Sequence, residues 1–266
     1  MKQLLKSYII KTLAVANSFP TGMTDRSELR FLLKKLYPLS TNKELIRLGP
    51  KGDGGYLVPN DLVGVQACFS PGVSFVSGFE KDCAELGMKV FLADKSVDRP
   101  AAEHELFSFT KKFVGAISNA DFMTMDNWVT SSLPEKNSDL LLQIDIEGYE
   151  YEVFLSTSEA LMQRFRIIVA EFHHLDQLWS RPFFNLASRA FDKILQTHAC
   201  VHIHPNNCCG SLQKDGLNIP RIMEFTFLRS DRIEHPSYQK YFPNLLDYDN
   251  TANPSLALPK CWYSEE

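Results

Sequence analysis

The feature that most constrains this chain is an alternation of short apolar runs with stretches of helical periodicity. Seven runs, at 65–70, 89–94, 111–117, 139–147, 166–174, 199–205 and 221–230, are rich in Val, Ile, Leu and Phe. Several are apolar almost throughout, as strands covered on both faces must be. Helical segments separate most of them: FEKDCAELG, TMDNWVTSSL, YEYEVFLSTSEALMQRF and RPFFNLASRAFDKILQTH. Strand and helix repeated in this way predict an α/β fold, a mostly parallel seven-stranded sheet with helices on both faces. No long helix separates the last two runs, so an antiparallel edge strand is expected there.

The flanks divide the chain into three parts. Residues 1–45 read as an N-terminal helical segment, in which LRFLLKKLY has helical spacing and Pro38 ends it. The sheet domain occupies 46–235. From 236 to 266, Pro, Tyr and Asn accumulate and periodicity fades, which predicts a tail packed on the domain. Near the start, Lys11 interrupts the apolar run, leaving TLAVA too short for a signal core or a membrane span, so an amphipathic helix is expected. The net charge of -4 provides no basic footprint for nucleic acid. Cys68, Cys83, Cys200, Cys208, Cys209 and Cys261 form no CxxC pair and no disulfide framework, which points to a reduced, cytoplasmic compartment.

In a doubly wound sheet, ligands sit beyond the carboxyl ends of the strands. The first such turn is FSPGVSFVSGFE, where Gly72 lets backbone approach a ligand and Ser70 and Ser74 add hydroxyls. Asp94 ends the second strand 94 − 72 = 22 residues later, the offset at which an acid meets ribose hydroxyls. GxGxxG is absent, so the turn suits a nucleoside without phosphates better than a dinucleotide. An acidic strand end can also be simply a solvated one.

Further on, DLLLQIDIEGYEYEVF places Asp145 and Glu147 on one strand face, while Glu150 and Glu152 read as ordinary acids of a helix start. Asp145, between two isoleucines, is harder to dismiss, because a buried carboxylate needs a partner. The fifth run ends in Glu171, His173 and His174, and the sixth carries His202 and His204 before Asn206 and Asn207. A lone histidine is usually structural, but four at strand ends beside two acids point to a functional cleft.

At these residues the chain resembles the FkbM-type methyltransferases: FSPGVSFVSGFE followed by VFLADKS, then MDNW, LLQIDIEGYEYEVF, IIVAEFHHL and VHIHPNN, with GDGGYLVPND upstream. The resemblance covers about residues 46–230. It implies a Rossmann-like methyltransferase fold and S-adenosylmethionine as cofactor, bound through Ser70, Gly72, Glu80, Asp94, Lys95 and Asp145. Ser70 stands where the family usually has an acid.

The expected reaction is O-methylation, with sugar or glycan hydroxyls preferred as acceptors over secondary-metabolite hydroxyls and small carboxylates. A sugar hydroxyl needs help to lose its proton near neutrality. Either His173 or His204 is the base, oriented by Asp145 or Glu171, or Asp145, Glu171 and a third ligand, an imidazole such as His173 or an Asn oxygen, hold Mg²⁺ or Mn²⁺, which acidifies the hydroxyl. GDGGY is either a plain turn or a lid, with Tyr56 packing nearby and Lys51 or Asp53 reaching the substrate. Competing readings are a nucleotide-sugar-modifying enzyme, a metal-dependent hydrolase and a non-catalytic Rossmann-like binding protein. The first should show a phosphate-cradling glycine loop, which the chain lacks, or a DxD pair after the fourth strand, where the motif instead reads IDIEG.

Overall fold

The computed structural model of the chain describes residues 10, 12, 13, 15, 20–73 and 75–265. The expected N-terminal amphipathic helix and the Ser74 hydroxyl therefore lie largely or wholly outside the described residues. Seven strands form one sheet: β1 (Val65–Pro71), β2 (Lys89–Ala93), β3 (Phe107–Thr110), β4 (Asp139–Ile144), β5 (Phe165–Phe172), β6 (His198–Pro205) and β7 (Met223–Arg229). Their order is β6-β7-β5-β4-β1-β2-β3. All neighbours are parallel except β7, which runs antiparallel between β5 and the edge strand β6. The antiparallel strand expected at the edge is therefore found one position in, with β6 outside it. A parallel sheet with its order reversing between β1 and β4 is the Rossmann-like architecture.

Helices α1 (Arg26–Lys35), α2 (Gly78–Glu85), α3 (Met125–Ser132), α4 (Glu150–Ser156), α5 (Glu159–Met162) and α6 (Arg181–Leu195) cover the sheet. Strand alternation sorts the core into two layers. Leu140, Leu142, Ile144, Ile168, Ala170 and Phe172 pack with α1, α3, α4 and α6, whereas Leu141, Ile167 and Val169 pack with α2 and the hairpin of Leu45–Leu48 and Tyr56–Pro59. Gln143 and Glu171 fall on the second, hairpin-covered face, at the carboxyl edge of the sheet. Among the described residues no helix is long and apolar enough to cross a membrane.

One expected strand is displaced. The run at 111–117 is not the third sheet strand; Phe107–Thr110 is, while Phe113–Val114 pairs with Phe122–Met123 in a separate two-stranded ladder. The reason is exposure. As an edge strand, Phe107–Thr110 is only partly buried and lacks a continuous apolar signature. The more apolar run that follows walls a cleft.

Candidate functional site

Two cavities open side by side beyond the carboxyl ends of β1, β2, β4 and β5, and both touch Gly72, Asp145 and Glu147. The first, about 420 Å³, has Val73, Ala93, Phe113, Val114, Phe122 and Tyr149 as apolar walls, with Asp94 and Ser96 at its side. Asp94 is fixed by its own loop: Oδ2 accepts from the Val73 N–H at 3.1 Å, and Oδ1 accepts from the Ser96 N–H and hydroxyl, each at 2.6 Å. Next to it, reaching the second cavity through Glu80 and Gln143, lies a buried polar triplet. Ser70 Oγ is 2.6 Å from Glu80 Oε1 and 2.7 Å from Gln143 Oε1. A hydroxyl has a single proton to give. Burial raises the Glu80 pKa, partly offset by the Ser70 bond. Lys95 is turned elsewhere, in an ion pair with Asp121, and lines neither cavity.

The second cavity, about 330 Å³, contains the carboxylates. His173 is its pivot. Nδ1 lies 3.1 Å from Glu150 Oε1, which also accepts the Ile146 and Gly148 N–H groups at 3.0 and 3.1 Å. With Glu150 acting as acceptor, Nδ1 carries the hydrogen and Nε2 is directed at the acids. Nε2 lies 3.8 Å from Asp145 Oδ1, 3.4 Å from Glu147 Oε2 and 3.7 Å from Glu171 Oε1. Burial would lower the His173 pKa, but the Glu150 hydrogen bond and the charges of Glu150, Asp145 and Glu147 outweigh it and raise it.

The two acids at the floor are under strain of their own. Burial pushes Asp145 up to about 7, with Glu150 and Glu147 adding to the rise and His173 opposing it. Glu171 is raised well above the usual carboxylate range by burial and then by the charge of Asp145. Glu171 Oε1 accepts from Asn206 Nδ2 at 3.1 Å, yet Glu171 Oε2 and Asp145 Oδ1 are buried with no hydrogen-bond partner. Orphaned buried carboxylate oxygens are costly unless a proton or a cation is to be taken up there. Donor atoms of Asp145, Glu171 and His173 all lie within 4.8 Å of one another, so the three fit a divalent ion.

The structure thus brings together Asp145, Glu171 and His173, and in the neighbouring cleft Gly72 and Asp94. It does not bring His204 to them. His204 pairs with Glu224 on β7, which pairs with Glu171 on β5. Two strand spacings, about 10 Å, therefore intervene. His204 Nδ1 instead lies 3.6 Å from Asp247 Oδ2, and its ring borders a third cavity with Phe242 and Tyr248. His174 is exposed in a left-handed turn, its ring centre 6.3 Å from that of His173, and it lines neither cavity.

The imidazole is oriented by Glu150, in place of the Asp145 or Glu171 expected from sequence. The only trace of this role in the sequence is the spacing IEGYE, which also reads as a helix start. GDGG is a turn that walls the acidic cavity through Asp53, Gly54 and the buried Tyr56, while Lys51 lies over the Tyr248 ring. Arg47 holds that turn, donating to the carbonyls of Pro50 at 2.7 Å, Gly52 at 2.8 Å and Leu246 at 3.3 Å.

Residues 79–200 match the family model described as the methyltransferase FkbM domain, a stretch containing Glu80, Asp94, Asp145, Glu150, Glu171 and His173. No curated protein matches. Among solved structures, one described as "Putative methyltransferase from antibiotic biosynthesis pathway" from Anabaena variabilis aligns with 16% identity and a TM-score of 0.30, over 53% of this chain and 58% of that one. The structure of EvdMO1 aligns with 12% identity and a TM-score of 0.29, over 79% of this chain and 49% of that one. This chain thus spans only about half the length of those proteins, and at such TM-scores no shared detail is carried over. Over residues 79–200, then, the chain is similar to the methyltransferase FkbM domain.

Proposed function

We propose that the chain is an S-adenosylmethionine-dependent O-methyltransferase acting on a hydroxyl of a sugar or glycan, in a cytoplasmic setting that suits its six free cysteines. The observation that carries this reading is the meeting at Asp145 of an apolar, aromatic-walled cleft and an acidic polar one. The first cleft suits a nucleoside: aromatic rings for the base and an immobilised Asp94 for the ribose hydroxyls. No lysine or arginine lines it among the described residues. Phosphates would find no cationic partner there, which disfavours a nucleotide-sugar or dinucleotide cofactor.

When bound, the cofactor supplies an electrophilic methyl group on a sulfonium. The chain's own residues orient and deprotonate. Gly72 allows close backbone approach, and Asp94 presents a carboxylate already fixed by Val73 and Ser96. A divalent ion would be held by Asp145, Glu171 and His173 Nε2, and its chemistry would be to lower the pKa of the acceptor hydroxyl. Oxygen donors suit Mg²⁺ or Mn²⁺. Glu150 behind His173 is then the outer carboxylate that fixes the tautomer of a ligating imidazole. The same Glu150 bond and the raised His173 pKa favour a second reading, in which Nε2 takes the hydroxyl proton directly.

Calorimetric titration with S-adenosylhomocysteine, in EDTA and then with Mn²⁺ or Mg²⁺, tests the proposal. Saturable binding in EDTA is expected, together with Mn²⁺ binding that disappears in Asp145→Asn and Glu171→Gln. Turnover that is indifferent to EDTA would select His173 as the base. A folded protein that binds no S-adenosylhomocysteine at millimolar concentration would overturn the cofactor assignment.

A further inference from the structure

We infer that the acceptor is a cationic alcohol, one whose reacting hydroxyl stands near a protonated amine, as in an amino sugar. This names the substrate class of the acidic cavity and rests on the methyltransferase reading above. The lining of that cavity is one-sided in charge. Asp53, Asp145, Glu147 and Glu171 all face it, and no lysine or arginine does among the described residues. A sulfonium cofactor carries one net positive charge, and a divalent ion would consume Asp145 and Glu171. With both present, three positive charges stand against these four carboxylates, and one negative charge is left over, on Asp53 and Glu147.

Those two acids are placed as a recognition pair. Asp53 sits on the exposed GDGG turn at the rim, outside any salt bridge to a lysine or arginine found among the described residues. It is near enough that its charge helps raise Asp145 and Glu171. Glu147 lines both cavities and is exposed, with its backbone in the left-handed region at φ 58°. Its only ionic neighbour among the described residues is His173. At the floor, Glu171 Oε2 is buried and unpartnered while lining the cavity.

Neutral groups complete the site. Gln143, Asn206, Tyr56 and Thr251 offer donors and acceptors to the remaining hydroxyls of a polyol. A carboxylate or phosphate on the acceptor would meet like charge at Asp53 and Glu147 with no compensating cation, whereas an ammonium would find two carboxylates at the mouth. Charged rejection of this kind discriminates more sharply than any shape difference among hexoses.

The test uses the full chain with saturating S-adenosylhomocysteine and four probes of one ring size: glucose, glucosamine, glucuronate and glucose 6-phosphate. Ligand-observed saturation-transfer NMR reads binding of each. Glucosamine is expected to bind at least tenfold more tightly than glucose, and the two anions are expected to show no transfer. In Asp53→Asn, glucosamine affinity should fall about tenfold toward that of glucose, with S-adenosylhomocysteine affinity unchanged. Glu147→Gln should act in the same direction. Equal binding of glucose or either anion, or no binding of glucosamine by protein that still binds S-adenosylhomocysteine, overturns the inference. Loss of S-adenosylhomocysteine binding in the unmodified chain would strike the methyltransferase reading instead.

Discussion

Gly72 shows how little freedom the site leaves to single residues. Its φ is +92°, and a Cβ there would meet the Asp145 carbonyl oxygen at 1.6 Å. The glycine is therefore required twice, by conformation and by the closeness of the β1 and β4 loops. Gly87 separates the two effects, since its φ is +87° but a Cβ added there would meet nothing within 4 Å. Gly87→Ala should cost only about 1 kcal/mol, the left-handed penalty. Gly72→Ala should cost several times more in urea denaturation and abolish S-adenosylhomocysteine binding in calorimetry. Gly72, Asp94, Asp145, Glu171 and His173 were legible as residues because strand ends can be read from pattern. Glu150 was not: a carboxylate at a helix start has an ordinary reason to be there, and only the β5 turn brings His173 onto it.

At the scale of elements, the segment after β7 has the least regular backbone and some of the most specific anchoring. Asp247, its side chain 4% exposed, receives His202 Nε2 at 2.9 Å and lies 3.6 Å from His204 Nδ1. Asn250 Nδ2 donates to Glu224 Oε1 at 2.6 Å, and Asn207 holds Thr251 and the Asn253 carbonyl. This segment brings Thr251 to the acidic cavity. Removing one partner of a buried pair leaves the others uncompensated, so Asp247→Asn should destabilise the protein by about 3 kcal/mol.

The pH dependence of that loss follows from two opposed shifts. Burial would raise the Asp247 pKa, but the His202 hydrogen bond and the neighbouring His204 lower it, so its contribution is present above about pH 3.9 and is lost only as acid titrates the folded form. Burial would lower the His204 pKa, but the nearby Asp247 carboxylate and the Glu224 charge raise it, so that contribution is whole below about pH 6.5 and declines as pH rises through the folded value. The difference in urea midpoint between the unmodified chain and Asp247→Asn should therefore be largest near pH 5–6 and smaller at pH 8.5.

For the whole molecule, the flanks and the sheet share one apolar interior. Leu29, Leu32 and Leu33 of α1 and Trp262 near the C-terminus belong to the same core as Phe225 and Phe227 of β7. Trp262 is fully buried, edge-on to Phe225 at 5.9 Å, and its Nε1 donates to the Asn218 carbonyl at 3.2 Å. Losing a buried Trp alone costs about 3–5 kcal/mol against a total stability of about 5–15 kcal/mol. A chain ending at residue 235 would lose Asp247 as well. It should show no single cooperative urea transition by near-ultraviolet circular dichroism.

The sequence by itself determined the α/β class, the strands covered on both faces and the acids and histidines at their carboxyl ends, because side-chain periodicity is a local consequence of backbone geometry. It misplaced the third strand, since a half-exposed edge such as Phe107–Thr110 carries no continuous apolar signal. Only the tertiary structure decided that β7 inserts between β5 and β6, and with it that His204 stands two strands from Glu171 while His173 stands beside it. Strand order is set by long-range burial and crossover packing, which no window of sequence contains. The same distant packing laid the GDGG turn and residues 244–253 over the sheet, and so made an acidic pocket out of carboxylates far apart along the chain.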